Sequence, residues 1–236
     1  MIINKATDIN PRDKPLHSAT QSGSKVWKFI ANKIKDKNPE DDINPKNDKG
    51  LTPLHLAAAK GHLEICQTIF CSLVISNFSG FNPTDNNGTT PLFLAAAEGH
   101  LEICRLIINR LIIDKVKDIN PRNDVNRTPL HVAAAYNHKE VWKLIADAVE
   151  DQNPEGDVNP KGEGGRTPLH LAALNGYLEM CKIITDKAAN INTRDDKDRT
   201  PLLSAAKFRH KEVAKFLAEK IQDNNRKDDL GCTPLK

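Results

Sequence analysis

Eight histidines and five cysteines are the side chains of this 236-residue chain best suited to chemistry, as general bases, nucleophiles or metal ligands. Their spacing argues against all three roles. His17, His55, His131 and His170 each follow a Pro-Leu pair, and His62, His100, His138 and His210 each open an apolar stretch, so the imidazoles are spread along the chain. If each copy is a unit packed on the next, equivalent atoms stand about 8–10 Å apart and cannot meet at one reacting atom. Cys66, Cys104 and Cys181 share a slot in the second apolar stretch that Trp27, Trp142 and Ala214 fill elsewhere. That pattern reads as packing volume, since zinc ligands must lie within ~2.0–2.3 Å of one ion. The sequence has no Gly-x-x-x-x-Gly-Lys, His-Glu-x-x-His or Gly-x-Ser-x-Gly motif. Gly162, Gly164 and Gly165 lack a strand-to-helix context and are expected to form a flexible finger. The chain is therefore read as non-enzymatic, with no metal site and no cofactor.

What positions these side chains is a repeated phrase, Thr-Pro-Leu-His or a near variant. It begins at Thr52, Thr90, Thr128, Thr167, Thr200 and Thr233, with a degraded copy at Lys14, in steps of 38, 38, 38, 39, 33 and 33 residues. A period of this size predicts stacked supersecondary units. In the copy from Asn82, a stretch rich in Asn, Asp, Pro and Gly predicts an exposed hairpin-like loop. Thr90 then caps a short helix, with Pro91 at the first helical position, where its missing N–H costs nothing. Gly99 ends that helix and His100 opens a second one, carrying Leu101, Ile103, Cys104, Ile107 and Ile108 at helical spacing. Two helices this short cannot bury their apolar faces on each other alone, so each unit needs neighbours.

These residues resemble the ankyrin repeat, whose loop, Thr-Pro-Leu-His-x-Ala-Ala, Gly-His and apolar second helix recur here in register from about residue 8 to 236. The resemblance implies a mainly α solenoid of L-shaped helix pairs with loops projecting to one side, and a curved stack that binds other proteins. The repeats fall at about 8–41, 42–80, 81–117, 118–156, 157–189 and 190–223, with a partial copy at 224–236, all in one domain 1–236. It implies no catalytic residue, and a role for the His of the first helix in hydrogen bonding between adjacent loops. It also implies that Asn192, after Ile191 and eight residues beyond Ile184, resembles a substrate for asparaginyl hydroxylation.

Four consecutive steps exceed the family's 33 residues by five or six, and the surplus lies between the second helix and the next loop. Apolar residues continue through Leu73, Val74 and Ile75 and through Leu111, Ile112 and Ile113, which predicts a second helix about one turn longer in the first four repeats. Drift of a duplicated unit is preferred to a dedicated second binding surface, because helix ends tolerate insertion at little cost. The first copy, at Lys14-Pro15-Leu16-His17, also lacks one residue at its inter-helix turn, as suits a terminal cap. The run Gly231-Cys232-Thr233-Pro234-Leu235-Lys236 opens a copy and is read as a sign of a longer protein in preference to a cap.

Composition sets the class of partner. No apolar run approaches the roughly 18 residues of a membrane span, so no membrane insertion is expected. An odd cysteine count without Cys-x-x-Cys points to a reducing, cytoplasmic compartment, with the nucleus or a host cell as alternatives. Net charge is only +3, but residues 182–227 hold twelve Lys or Arg against seven Asp or Glu, a balance that would orient an acidic partner protein. The positions free to vary in such a fold are the loop tips and the outer face of the first helix. They make Leu51, Lys60, Thr89, Glu98, Arg127, Tyr136, Arg166, Asn175, Arg199, Lys207 and Phe208 the candidate partner-binding residues. Arg127, Arg166 and Arg199, each just before the Thr, read as a ladder, and Tyr136 and Phe208 as interface anchors. The competing readings are a regulatory or targeting arm of a longer protein, a symbiont or viral effector acting on host proteins, and nucleic-acid binding through the basic end, which the scarcity of nearby aromatics disfavours.

Overall fold

The computed structural model describes residues 15–22, 24–37, 43–75 and 82–225. Twelve helices follow in order: α1 (Pro15–Ser22), α2 (Ser24–Lys37), α3 (Pro53–Lys60), α4 (Leu63–Ile75), α5 (Pro91–Glu98), α6 (Leu101–Ile113), α7 (Pro129–Ala135), α8 (Lys139–Gln152), α9 (Pro168–Leu174), α10 (Leu178–Lys187), α11 (Pro201–Lys207) and α12 (Lys211–Asn225). No strand occurs among the described residues. The chain divides into two compact units, residues 1–124 and 125–236. In the first, α1, α3 and α5 pack in one row and α2, α4 and α6 in another; in the second, α7, α9 and α11 form one row, and α8, α10 and α12 the other.

From α3 on, each short helix begins as the Thr-Pro pair dictates. Thr52, Thr90, Thr167 and Thr200 have extended backbones and accept the third helical N–H on their side chains, while Pro occupies the first turn. Such a cap is worth ~1 kcal/mol. From α3 on, each short helix is followed by a left-handed residue. Gly99 takes φ 76°, and where sequence places Asn137 and Arg209 instead, those residues take φ 62°. Gly176 has a second constraint besides its φ of 77°: a Cβ there would stand 2.4 Å from the His210 ring.

The small face of the first helices lets neighbouring repeats approach closely. Ala57, Ala58, Ala95, Ala96, Ala133, Ala134, Ala172, Ala173 and Ala205 are buried beside Leu54, Leu92, Leu130 and Leu169. The second helices supply the other half of the core, with Ile65, Ile69, Ile103, Ile107, Ile145, Ile184 and Leu217 buried. Truncating such a residue to Ala costs about 2–5 kcal/mol. The slot shared by cysteine and tryptophan is a packing slot: Cys66, Cys104, Cys181, Trp27 and Trp142 are fully buried, whereas Ala214 is half-buried.

The longer period is built as extra helix. α2, α4, α6 and α8 run 14, 13, 13 and 14 residues, against 10 for α10 in the first short-period repeat. The added turn of α8 carries Glu150, which joins Asp147 in holding Lys187 at the end of α10. The length rule fails at the end of the array. α12 has 15 residues although its repeat steps by 33, so it runs through residues 224 and 225, which the repeat boundaries assign to the partial seventh copy. Residues 226–236, and with them Cys232 and the Thr233 copy, lie outside the described residues, as do 1–14, 23, 38–42 and 76–81.

Candidate functional site

The histidines that might have acted as bases are assembly groups. In His55, His131 and His170 the Nδ1 atom accepts the N–H of the capping Thr, at 3.1, 3.2 and 3.2 Å. The proton must then sit on Nε2, which donates to the carbonyl just before the next repeat's Thr: Thr89, Arg166 and Arg199, at 3.0, 3.1 and 2.9 Å. His17 makes the same link to the Leu51 carbonyl at 2.8 Å. Burial drives the His55 pKa down to about 4 and lowers that of His170, so these rings are neutral at pH 7. Burial likewise pushes the Cys66, Cys104 and Cys181 thiols up to about 12, far from a nucleophilic thiolate. No group of His, Cys, Asp or Glu among the described residues is placed to hold a metal ion.

The loops are tied by the same economy of short bonds. Asp195 turns its own loop: Oδ1 accepts the N–H groups of Lys197 and Arg199, both at 2.9 Å, and Oδ2 accepts the Arg199 Nε and Nη2 at 3.0 and 2.7 Å. Its side chain is 1% exposed. Burial works to raise its pKa, but the Arg199 side-chain and backbone bonds prevail and hold it at about 2. The glycine run is a packed turn and not a free finger. Gly162 N–H donates to the Arg166 carbonyl, and Asp196 N–H donates to the Gly164 carbonyl. A Cβ on Gly165 would stand 2.3 Å from Asp196 Oδ1, which is why that loop carries glycine there.

The candidate binding residues separate by unit and by exposure. Leu51, Lys60, Thr89 and Glu98 belong to the first unit. Lys60 and Glu98 are exposed and Leu51 is half-buried, but Thr89 is only 7% exposed, so its candidacy is corrected. Its N–H donates to Asp85 Oδ1 and its carbonyl accepts from His55, which draws it into the loop instead of onto the surface.

Arg127, Tyr136, Arg166, Asn175, Arg199, Lys207 and Phe208 belong to the second unit. The arginine ladder is there, but as ion pairs and not as a row of free cations. Arg127 pairs with Glu163 of the following loop, Arg166 approaches Asp195 at 3.9 Å, and Arg199 is clamped onto Asp195 as described. Arg199 is therefore a loop staple. Asn175 is exposed, yet its amide donates to the Leu171 and Ala135 carbonyls, tying two first helices together.

Tyr136 and Phe208 stand 61% and 49% exposed at the same repeat position, each just before the left-handed residue that ends the first helix. Lys207 and Arg209, the chain neighbours of Phe208, are exposed, as are Lys211 and Lys215 on α12. Leu203, 51% exposed, adds an apolar residue that the candidate set omits. Its signal lay in the phrase Thr200-Pro201-Leu202-Leu203, where leucine replaces the bonding histidine. Between the loops and α7 and α9, a cavity of about 160 Å³ is lined by Arg127, His131, Glu163, Gly164, Arg166 and Leu171. Asn192 is exposed directly after buried Ile191, with its N–H bonded to Asn190 Oδ1 at 2.9 Å.

No helix among the described residues is long and apolar enough to cross a membrane. No curated protein matches the chain. The family model described as ankyrin repeats, in three copies, matches residues 1–75, 37–116, 68–155, 107–195 and 152–228. Taken with the capped helix pairs and the histidine links between loops, these overlapping matches place the chain in the ankyrin-repeat family, a family of protein-interaction modules that are typically non-enzymatic.

Proposed function

We propose that the chain is a non-enzymatic scaffold that binds a partner protein on the loop and first-helix face of its second unit, centred on Tyr136, Arg166 and Phe208. One observation carries the reading: two large aromatics stand exposed at equivalent positions two repeats apart, just past the ends of α7 and α11, with Leu203 exposed on α11 as well. Neither ring is needed to close a repeat, since the same position holds Lys60, Glu98 and Asn175 elsewhere. Exposed aromatics flanked by cations are what interface anchors are made of. Exposed Lys207, Arg209, Lys211 and Lys215 favour an acidic protein, and the few aromatics among them speak for protein over nucleic acid. The free thiols Cys66, Cys71, Cys104 and Cys181 favour a reducing, cytoplasmic setting.

The double substitution Tyr136→Ala and Phe208→Ala tests this directly. With a partner captured and verified by the wild-type chain, the variant should bind at least ten-fold more weakly while its thermal unfolding midpoint stays unchanged. Unchanged affinity would remove this face from contention. Loss of the salt-sensitive part of the affinity alone, with the aromatic substitutions silent, would favour a purely electrostatic contact at the basic end.

A further inference from the structure

We infer that the cavity between Arg127, Glu163 and Arg166 is a receptor for one acidic side chain, Asp or Glu, of the partner protein; this rests on the scaffold reading and names the chemistry of its contact. The residues lining the cavity include two arginines, Arg127 and Arg166, and one acid, Glu163, with His131, Gly164 and Leu171 completing it. Glu163 is already paired with Arg127. His131 is committed through Nδ1 to Thr128 and through Nε2 to the Arg166 carbonyl, so it adds no charge. Arg166 makes one long charged contact, 3.9 Å to Asp195, and that carboxylate is held bidentate by Arg199 at 3.0 and 2.7 Å.

Arg166 thus lines the cavity with a planar fork of donors on a side chain that is 37% exposed, its one charged contact among the described residues being the long approach to Asp195. A planar fork of this kind is matched by a carboxylate, which accepts two parallel bonds from it. Size sets the ligand's scale. At about 160 Å³ the cavity is smaller than the ~300–1,000 Å³ typical of small-molecule sites, and suits a single side chain presented by a larger surface. Leu171 offers the methylenes of that side chain an apolar contact.

The test is a titration of the full-length chain with N-acetyl-glutamate methylamide, at constant ionic strength, followed through the Gly164 amide and the Arg166 Nε–H resonances. Blocked glutamine and N-acetylglycine serve as the neutral and the terminal-carboxylate probes. Both resonances should shift saturably with blocked glutamate and stay still with blocked glutamine. Arg166→Gln should abolish the response. Glu163→Gln, which removes the cavity's one acidic side chain, should tighten binding several-fold; a merely structural role for Glu163 gives no such gain. Absence of a saturable shift, an equal response to glutamine, or tighter binding of N-acetylglycine would each overturn the proposal. None of these results depends on Tyr136 or Phe208, so the cavity can fail while the aromatic face still binds its partner.

Discussion

Replacing Asp195 by Asn removes a charge from the most heavily bonded carboxylate described in the second unit and leaves its shape. Asn keeps an oxygen for the N–H groups of Lys197 and Arg199 but gives up the charge-assisted pair with the Arg199 guanidinium. Asp195 is essentially buried, so solvent screening reduces the effect little. Its pKa falls from 3.8 to about 2 on folding, a preference for the ionised form worth about 2 kcal/mol. Because the folded pKa is the lower one, that stability is present above pH 3.8 and is lost as pH falls toward 2. Asp195→Asn should therefore lose about 2 kcal/mol at pH 7, and its gap from wild type should narrow between pH 4 and pH 2. The assay is urea unfolding followed by the fluorescence of Trp142, fully buried in α8, in a Trp27→Phe background that silences the first unit. A loss below about 0.5 kcal/mol, the range of ordinary surface substitutions, would refute the view of the pair as a staple. So would a gap that stays constant down to pH 2.

Two further outcomes follow from the same geometry. His55 has its folded pKa at about 4 against 6.5 when unfolded, so the first unit should lose stability as pH falls from 6.5 toward 4, by up to about 3 kcal/mol. His55→Asn should be less stable at pH 7 and show a flatter profile, and an unchanged slope would exclude His55 as its source. Under native conditions a thiol reagent should label Cys71 quickly and leave Cys66, Cys104 and Cys181 untouched until urea unfolds the chain, as peptide mass mapping would record. Rapid native labelling of any of the three buried thiols would show that its repeat opens locally.

The assembly rules of this protein are legible residue by residue. Thr90 and Pro91 announce a helix start because their capping chemistry is local, and Gly99 announces its end because it alone adopts a left-handed backbone freely. In α4 and α6 the surplus reads as added helix, since the apolar spacing continues through Leu73, Val74 and Ile75 and through Leu111, Ile112 and Ile113. Where the outcome depends on what lies across the stack, sequence spacing misleads. Thr89 and Arg127 occupy one repeat position, yet Thr89 is buried and Arg127 is exposed. Arg166 and Arg199 look like equal rungs, but a carboxylate four residues before Arg199 clamps it and leaves Arg166 facing a cavity. Gly165 reads as slack in the chain and proves to be the point where Asp196 presses closest.

Local and periodic properties such as caps, helix breaks, apolar spacing and the family were therefore present in the chain as written, because each rests on residues within one repeat. Which exposed residue remains free for a partner was a matter of contacts between residues about 30 to 40 positions apart, as His131 with Arg166 and Arg166 with Asp195 illustrate. Ion pairing and burial are decided by that packing, and the repeat pattern makes those positions look alike until the stack sets them against different neighbours.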